Sequence, residues 1–204
     1  MDSRVPGSEL EQRMKRFKAR MEDQKPDYEL VVIFGNINLY YFTGTMQDSM
    51  LCIPRDGEPT LWVRKSYERA KHESEFPYIE RMGSFRDAAR AYTDVPDTVH
   101  LETDIVPLAL YQRFSKYFPI SHVESVDREL SMVRAVKSPF EISLMEESGR
   151  IHARVLEESV PDMLTEGMRE SEFATKLYGY LVNEGHHGIA RFGMFNTEML
   201  LGQI

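Results

Sequence analysis

Apolar residues recur along this chain with two different periods. Leu10, Met14, Phe17 and Met21 follow one another at steps of three or four, which lines one face of a helix and leaves the intervening Lys and Arg residues to water. Ser8 and Glu11 stand at capping-box spacing ahead of that stripe and predict its start. Residues 30–34 form an unbroken apolar run, read as a buried strand. Ser49 to Pro54 and Thr60 to Val63 flank Arg55, Asp56, Gly57 and Glu58, a turn sequence, and predict a hairpin. Over residues 66–126 short helical patterns (84–92 and 106–117) alternate with short apolar strands near Tyr78, Val99 and Ile120. Such alternation predicts an α/β layered domain.

Beyond residue 126 the pattern is one of longer helices, over 126–136, from Pro139 to about Val160, and over 170–183. Pro139 suits a first-turn position because its missing N–H would have no partner there. On the second of these helices Ile142, Met145, Gly149, His152 and Leu156 share one stripe, whereas Glu146, Glu147, Glu157 and Glu158 lie mostly elsewhere. The stripe is expected to face a core, with His152 packed inside it rather than serving as a ligand. The third helix carries Phe173, Leu177 and Tyr180 at the same spacing and ends at Gly185, a C-terminal cap. The change of pattern within 126–138 divides the chain into a first domain, 1–130, and a second, 131–204.

Composition narrows the classes. An apolar fraction of 42% in 204 residues supports a buried core, and a formal net charge of −8 argues against a phosphate-tracking surface of the kind nucleic acid requires. The lone cysteine, Cys52, lies in the run Met50, Leu51, Cys52, Ile53 and reads as a small buried hydrophobe. No stretch approaches the ~20 apolar residues of a membrane helix, and the amino terminus lacks a secretory apolar core. A cytoplasmic location is expected, with neither nucleic acid nor membrane as partner.

Candidate chemistry is sparse. His186 and His187 stand between Gly185 and Gly188, where metal ligation competes with polar packing at a helix end, because adjacent histidines point apart and a metal needs several converging ligands. In residues 189–195, read as a strand, Arg191 could clamp a substrate carboxylate through its bidentate fork or snorkel to water from a strand edge. The carboxylates beyond residue 138 fall mostly on solvated helix faces, Glu198 excepted. No Ser/His/Asp set, Walker-type loop or GxGxxG follows a strand at usable spacing. No catalytic residue and no metal ligand is assigned.

Four stretches together resemble the creatinase, prolidase and Xaa-Pro aminopeptidase family of pita-bread metallopeptidases. Asn38 to Gly44 is similar to the family's Asn-x-x-Tyr-x-Thr-Gly segment. In residues 63–70 a strand runs into Tyr67, Glu68, Arg69 and Ala70. Arg134, Lys137, Ser138 and Glu141 match an Arg-x-x-Lys-Ser-x-x-Glu helix junction, the most specific of the four, and residues 167–174 resemble a Gly-x-Thr-Glu-x-Glu helix start, with Arg169 where the family prefers a Thr cap.

The resemblance implies a creatinase-type amino-terminal α/β domain with a mixed sheet flanked by helices, followed by the opening helices and first strand of an incomplete pita-bread domain. In the family, two Asp, a His and two Glu on later strands bind two divalent metal ions (Mn, Co or Zn), and this sequence has no position equivalent to them. The chain is thus expected to be an inactive part of a parent that hydrolyses proline-containing peptides next to proline. Dimerisation is common in the family, with the amino-terminal domain helping to shape the partner's active-site mouth, which makes a homodimer expected and Tyr40 and Tyr41 candidate rim residues; Arg191 and His187 complete the candidate substrate-binding residues. A non-catalytic binding or dimerisation module and a metal-independent creatinase-like hydrolase are the alternatives. Phe192, Met194, Phe195, Met199, Leu200 and Leu201 are expected to be disordered, swapped or buried by self-association.

Overall fold

A computed structural model describes residues 4–92, 96–186, 189–191 and 198–200. It contains two compact units that meet in sequence between Val136 and Lys137. In the first unit, α1 (Gly7–Gln24) buries Leu10, Met14, Phe17 and Met21, as the spacing predicts. Its start differs from the expected capping box. The helix begins at Gly7, the Pro6 carbonyl accepts from Glu9 N and Leu10 N, and Gly7 N donates to Glu75 Oε2 at 2.7 Å. Glu11 instead pairs with Lys15 one turn on. A carboxylate 68 residues away thus meets the first orphan N–H, which local spacing cannot reveal.

The sheet of this unit has the order β4-β3-β2-β1-β5-β6, with β1 Leu30–Ile33, β2 Ser49–Pro54, β3 Thr60–Val63, β4 Ile79–Arg81, β5 Thr98–Leu101 and β6 His122–Ser125. Only β2 runs against the rest, so the sheet is mixed. Every residue of β1 is buried, which explains why it reads as an apolar run rather than an alternation. The β2–β3 hairpin turns at Gly57, whose φ of +114° disfavours any residue with a Cβ. Helices flank the sheet: α2 (Asn36–Thr43), α3 (Tyr67–Glu73), α4 (Phe85–Ala89), α5 (Leu108–Ser115) and α6 (Asp127–Ala135).

Leu30, Val32, Cys52, Val99 and Leu101 share one buried cluster with Ala88 of α4 and Phe114 of α5, while Val31 and Ile33 are buried on the opposite face. Cys52 is fully buried and its thiol is pushed up to about 12 by desolvation, so it packs as a hydrophobe. The last strand lies two residues beyond Ile120. Ser121 N and His122 N both donate to Asp97 O, which sets the register of an edge strand whose four residues are exposed, and Ile120 packs against the core instead.

The second unit opens with α7 (Pro139–Arg154). Ser138 Oγ accepts from Glu141 N at 3.1 Å and Glu141 Oε2 accepts from Ser138 N at 2.9 Å, a complete capping box with Pro139 just inside it. The expected continuous helix to Val160 is interrupted. Residues Val155–Ser159 form one turn of π-helix, followed by the short α8 (Val160–Met163). Pro161 has no N–H and its ring crowds the carbonyl four residues back, which accounts for the widened turn. In α9 (Glu170–Asn183) the Arg169 side chain cannot accept a hydrogen bond, so Glu172 alone caps by accepting from Arg169 N at 3.1 Å. β7 (Ile189–Arg191) pairs antiparallel with β8 (Glu198–Leu200), and the rest of the strand expected over 189–195 lies outside the described residues.

The expected core stripe of α7 is not buried. Ile142, Met145 and Leu156 are 46%, 58% and 57% exposed, and His152 is exposed too, its Nδ1 held by Ser148 O within the same helix. Periodicity shows which side chains share a face and does not supply the layer that would cover it. The apolar residues from Phe192 to Leu201 lie outside the described residues, apart from the backbone of Met199 and Leu200 in β8. Because the Ser138 box satisfies two helix-end groups, Ser138→Ala is expected to lower stability by about 1 kcal/mol. Urea unfolding of the two chains checks this, and equal midpoints would refute it.

Candidate functional site

The carboxyl ends of β1 and β5 lie side by side, and the residue after β5, Glu102, is fully buried there. Its Oε2 accepts from Phe34 N at 2.7 Å and Gly35 N at 2.8 Å, and its Oε1 accepts from Asn38 Nδ2 at 2.7 Å. A carboxylate thereby closes the amino-terminal turn of α2. Asn38 Oδ1 accepts from Arg134 Nη1 at 3.1 Å on α6. Arginine can only donate, so it fixes the Asn38 amide with its NH2 toward Glu102. At Gly35 a Cβ would fall 2.5 Å from Glu102 Oε1 and 2.4 Å from Ile105 Cδ1, which leaves room for glycine alone. Burial pushes the Glu102 carboxyl above its usual range, with the three N–H donors acting the other way.

At the far end of the same helix Thr43 Oγ1 donates to Leu39 O, and Gly44 caps in the left-handed region at φ +70°. Of the two adjacent tyrosines, Tyr40 is 40% exposed and Tyr41 is buried. The Arg13 guanidinium lies 4.5 Å over the Tyr41 ring, Arg16 donates to its hydroxyl, and that hydroxyl donates to Val133 O. Tyr41 therefore ties α1, α2 and α6 together. His187 lies outside the described residues. Arg191 occupies β7 by its backbone, and its side chain also lies outside the described set.

A second titratable group sits on β5. His100 is buried edge-on to Tyr28, with Nε2 3.3 Å from Glu124 Oε2, and Lys25 Nζ donates to that same oxygen at 3.0 Å. Desolvation lowers the imidazole pKa against the pull of Glu124, while Lys25 holds Glu124 below the usual carboxylate range. Among the described residues no group of three or more His, Cys, Asp or Glu side chains could hold a metal ion, and no helix is long and apolar enough to cross a membrane. Sequence reasoning missed Glu102. An isolated acid after a short apolar strand carries no periodic signal, although Gly35 and Asn38 beside the first strand hinted at a partner.

The family model of the Creatinase/Prolidase N-terminal domain matches residues 13–136. The chain belongs to this family. It is 28% identical over 155 residues to a Xaa-Pro dipeptidase of Pyrococcus horikoshii, covering 75% of this chain and 43% of that protein. An uncharacterized peptidase of Staphylococcus epidermidis is 23% identical over 193 residues, covering 88% of this chain and 51% of that one. In three dimensions a prolidase from Pyrococcus horikoshii superposes with a TM-score of 0.74 at 24% identity, over 88% of this chain and 51% of that chain. A Xaa-Pro dipeptidase from Bacillus anthracis reaches 0.76 at 13% identity, over 89% and 51%. The chain thus spans about half the length of the relatives it matches, and the mixed α/β fold is theirs.

Asn38 and Arg134, both part of the sequence resemblance, belong to one hydrogen-bonded node with Glu102, and Gly44 caps the other end of the same helix. Glu102→Ala would leave two backbone N–H groups and the Asn38 amide without a partner, so it is expected to cost about 3 kcal/mol in urea unfolding. Glu102→Gln is expected to cost less yet remain destabilising, since its NH2 meets a donor; a neutral result for both refutes the node. The pH response has opposite signs at the two groups. His100 takes up its proton more readily unfolded, near pH 6.5, so stability falls as pH drops below that value. Glu102 keeps its proton longer when folded, so its contribution falls as pH rises past ~4.3 toward its raised pKa. Urea midpoints from pH 7.5 to 5 are expected to decline in the native chain and less in His100→Asn; parallel curves would refute the assignment.

Proposed function

We propose that this chain is the amino-terminal part of a metal-dependent Xaa-Pro peptidase whose longer parent hydrolyses the peptide bond next to proline in the cytoplasm. The observation that carries the reading is the family match over residues 13–136, supported by the likeness to a Xaa-Pro dipeptidase over 75% of the chain. The described residues do not fit a catalytic metal: no group of converging ligands exists among them. A divalent pair would have to be held by residues other than these, where it would activate water. What this chain does contribute is a rigid α/β domain, locked at Glu102, followed by a helical unit with an uncovered apolar stripe.

That stripe supports association. Ile142, Met145 and Leu156 share one stripe and are each about half exposed, and a second copy or further chain of the parent would cover them. Within the parent, Tyr40 is assigned to the rim of a substrate site and Arg191, with His187, to recognition of a short peptide's free carboxylate.

The test is to assay the parent and the 204-residue chain in parallel on Xaa-Pro dipeptides and Xaa-Pro-containing peptides with Mn, Co or Zn. The parent is expected to cleave, to lose activity on chelation, and to bind short peptides more weakly as Arg191→Ala, seen as a raised KM. The 204-residue chain is expected to be inactive and to sediment as a dimer. A parent without Xaa-Pro cleavage, or a hydrolytic 204-residue chain, would overturn the reading, and activity that survives chelation would favour a creatinase-like hydrolase.

A further inference from the structure

A crevice of about 560 Å³ opens in the first unit at the carboxyl ends of β1, β3 and β4. Phe34 follows β1, Arg64 follows β3, and Met82 and Gly83 follow β4; Arg113 of α5 and Lys116 just beyond it line another wall. In open α/β sheets this edge is where ligands collect, because the strand ends and the loops after them leave a concavity between the flanking helices.

The lining has two parts. Phe34 and Phe85 meet edge to face at 5.9 Å and are both partly exposed, which gives the crevice an apolar aromatic corner where a ring could lie on one face and abut the other's edge. The charged part is cationic: Arg64, Arg113 and Lys116 stand against the single carboxylate of Asp48. That carboxylate is already engaged with Arg64 through two contacts, of 2.5 and 3.1 Å. Arg113 and Lys116 are exposed and have no carboxylate partner among the described residues. An excess of cations in one concavity of a chain carrying −8 overall concentrates anions there.

The backbone decides which anion. The N–H groups of Gly83 and Ser84 point at Asp87 Oδ2, at 2.8 and 3.0 Å, and so are not free to cradle a phosphate. The Asp87 carboxylate beside them also repels a dianion. Recognition is left to side chains, which suits a singly charged group on a flat apolar body.

We propose that this crevice binds a small organic acid, with an aromatic or similarly flat apolar body against Phe34 and Phe85 and one carboxylate held by Arg113 and Lys116. The site lies wholly within the first unit and does not depend on the peptidase reading.

The experiment titrates the full chain with 2-naphthoate, acetate, inorganic phosphate and 2-naphthylmethylammonium, following amide NMR shifts and heat. Saturable binding of 2-naphthoate is expected, with shifts centred on Gly83, Phe85 and Lys116. Acetate, phosphate and the cationic naphthyl compound are expected to bind at least tenfold more weakly. The double variant Arg113→Gln, Lys116→Gln is expected to lose at least tenfold in 2-naphthoate affinity with its urea midpoint kept. Absence of saturable 2-naphthoate binding, shifts centred elsewhere, comparable binding of acetate, phosphate or the cation, or an unchanged affinity in the double variant would each overturn the proposal. The ligand comparison is made on the native chain and stands whether or not the variant folds.

Discussion

A single buried carboxylate organises the first unit. Glu102 closes the parallel pair β1 and β5 at their carboxyl ends by accepting from two backbone N–H groups at the start of α2 and from Asn38 within it. Through Asn38 it reaches Arg134 on α6, which lies 96 residues further along the chain than Asn38. Taking a carboxylate out of water is costly, and the cost is offset here because each oxygen receives at least one N–H. The requirement propagates to its neighbours: Gly35 can carry no Cβ, Asn38 can present only its NH2, and the residue facing Asn38 Oδ1 must donate. Four chemically dissimilar residues on three segments are thus mutually dependent.

A second set of contacts extends this lock to the outer helix layer. Tyr41, on the turn after Asn38, lies under the Arg13 guanidinium of α1 and donates to the Val133 carbonyl of α6, one residue before Arg134. The helices α1, α2 and α6 are therefore held by polar anchors at both ends of an apolar contact that includes Phe17 against Phe42 at 5.2 Å. The second unit is built differently. Its helices α7 and α9 start at local devices, the Ser138–Glu141 box and the Glu172 cap, and while Val155, Met163 and Leu181 are buried in it, α7 has no buried residue at all. Local hydrogen bonds suffice to start a helix, and only a packed neighbour can bury its face.

These two modes of construction bear on function. A domain locked by buried polar groups presents rigid surfaces, and the crevice at the carboxyl ends of β1, β3 and β4 is one of them. The family relationship rests on the match over residues 13–136, and among the described residues no converging ligand group is found. The crevice speaks to the unit itself, since its charge and its aromatic floor belong to residues between Phe34 and Tyr117.

By itself, the order of residues determined the local devices. The stripe of α1, the apolar run of β1, the hairpin around Gly57 and the first-turn place of Pro139 all depend on neighbours within a few positions, and all are found where their patterns place them. The resemblance also read the family from Asn38 to Gly44 and from Arg134 to Glu141. Other features were decided only by the tertiary structure. The start of α1 is set by Glu75 from 68 residues away, β6 is an exposed edge strand positioned by its pairing with β5, and Pro161 widens a helix that periodicity alone would continue. The stripe containing His152 was legible as a stripe, yet it is exposed, because a period says which residues share a face and not what lies opposite. Glu102 was the least legible of all. A buried charge is recognised by the donors that surround it, and those donors come together only when the chain folds.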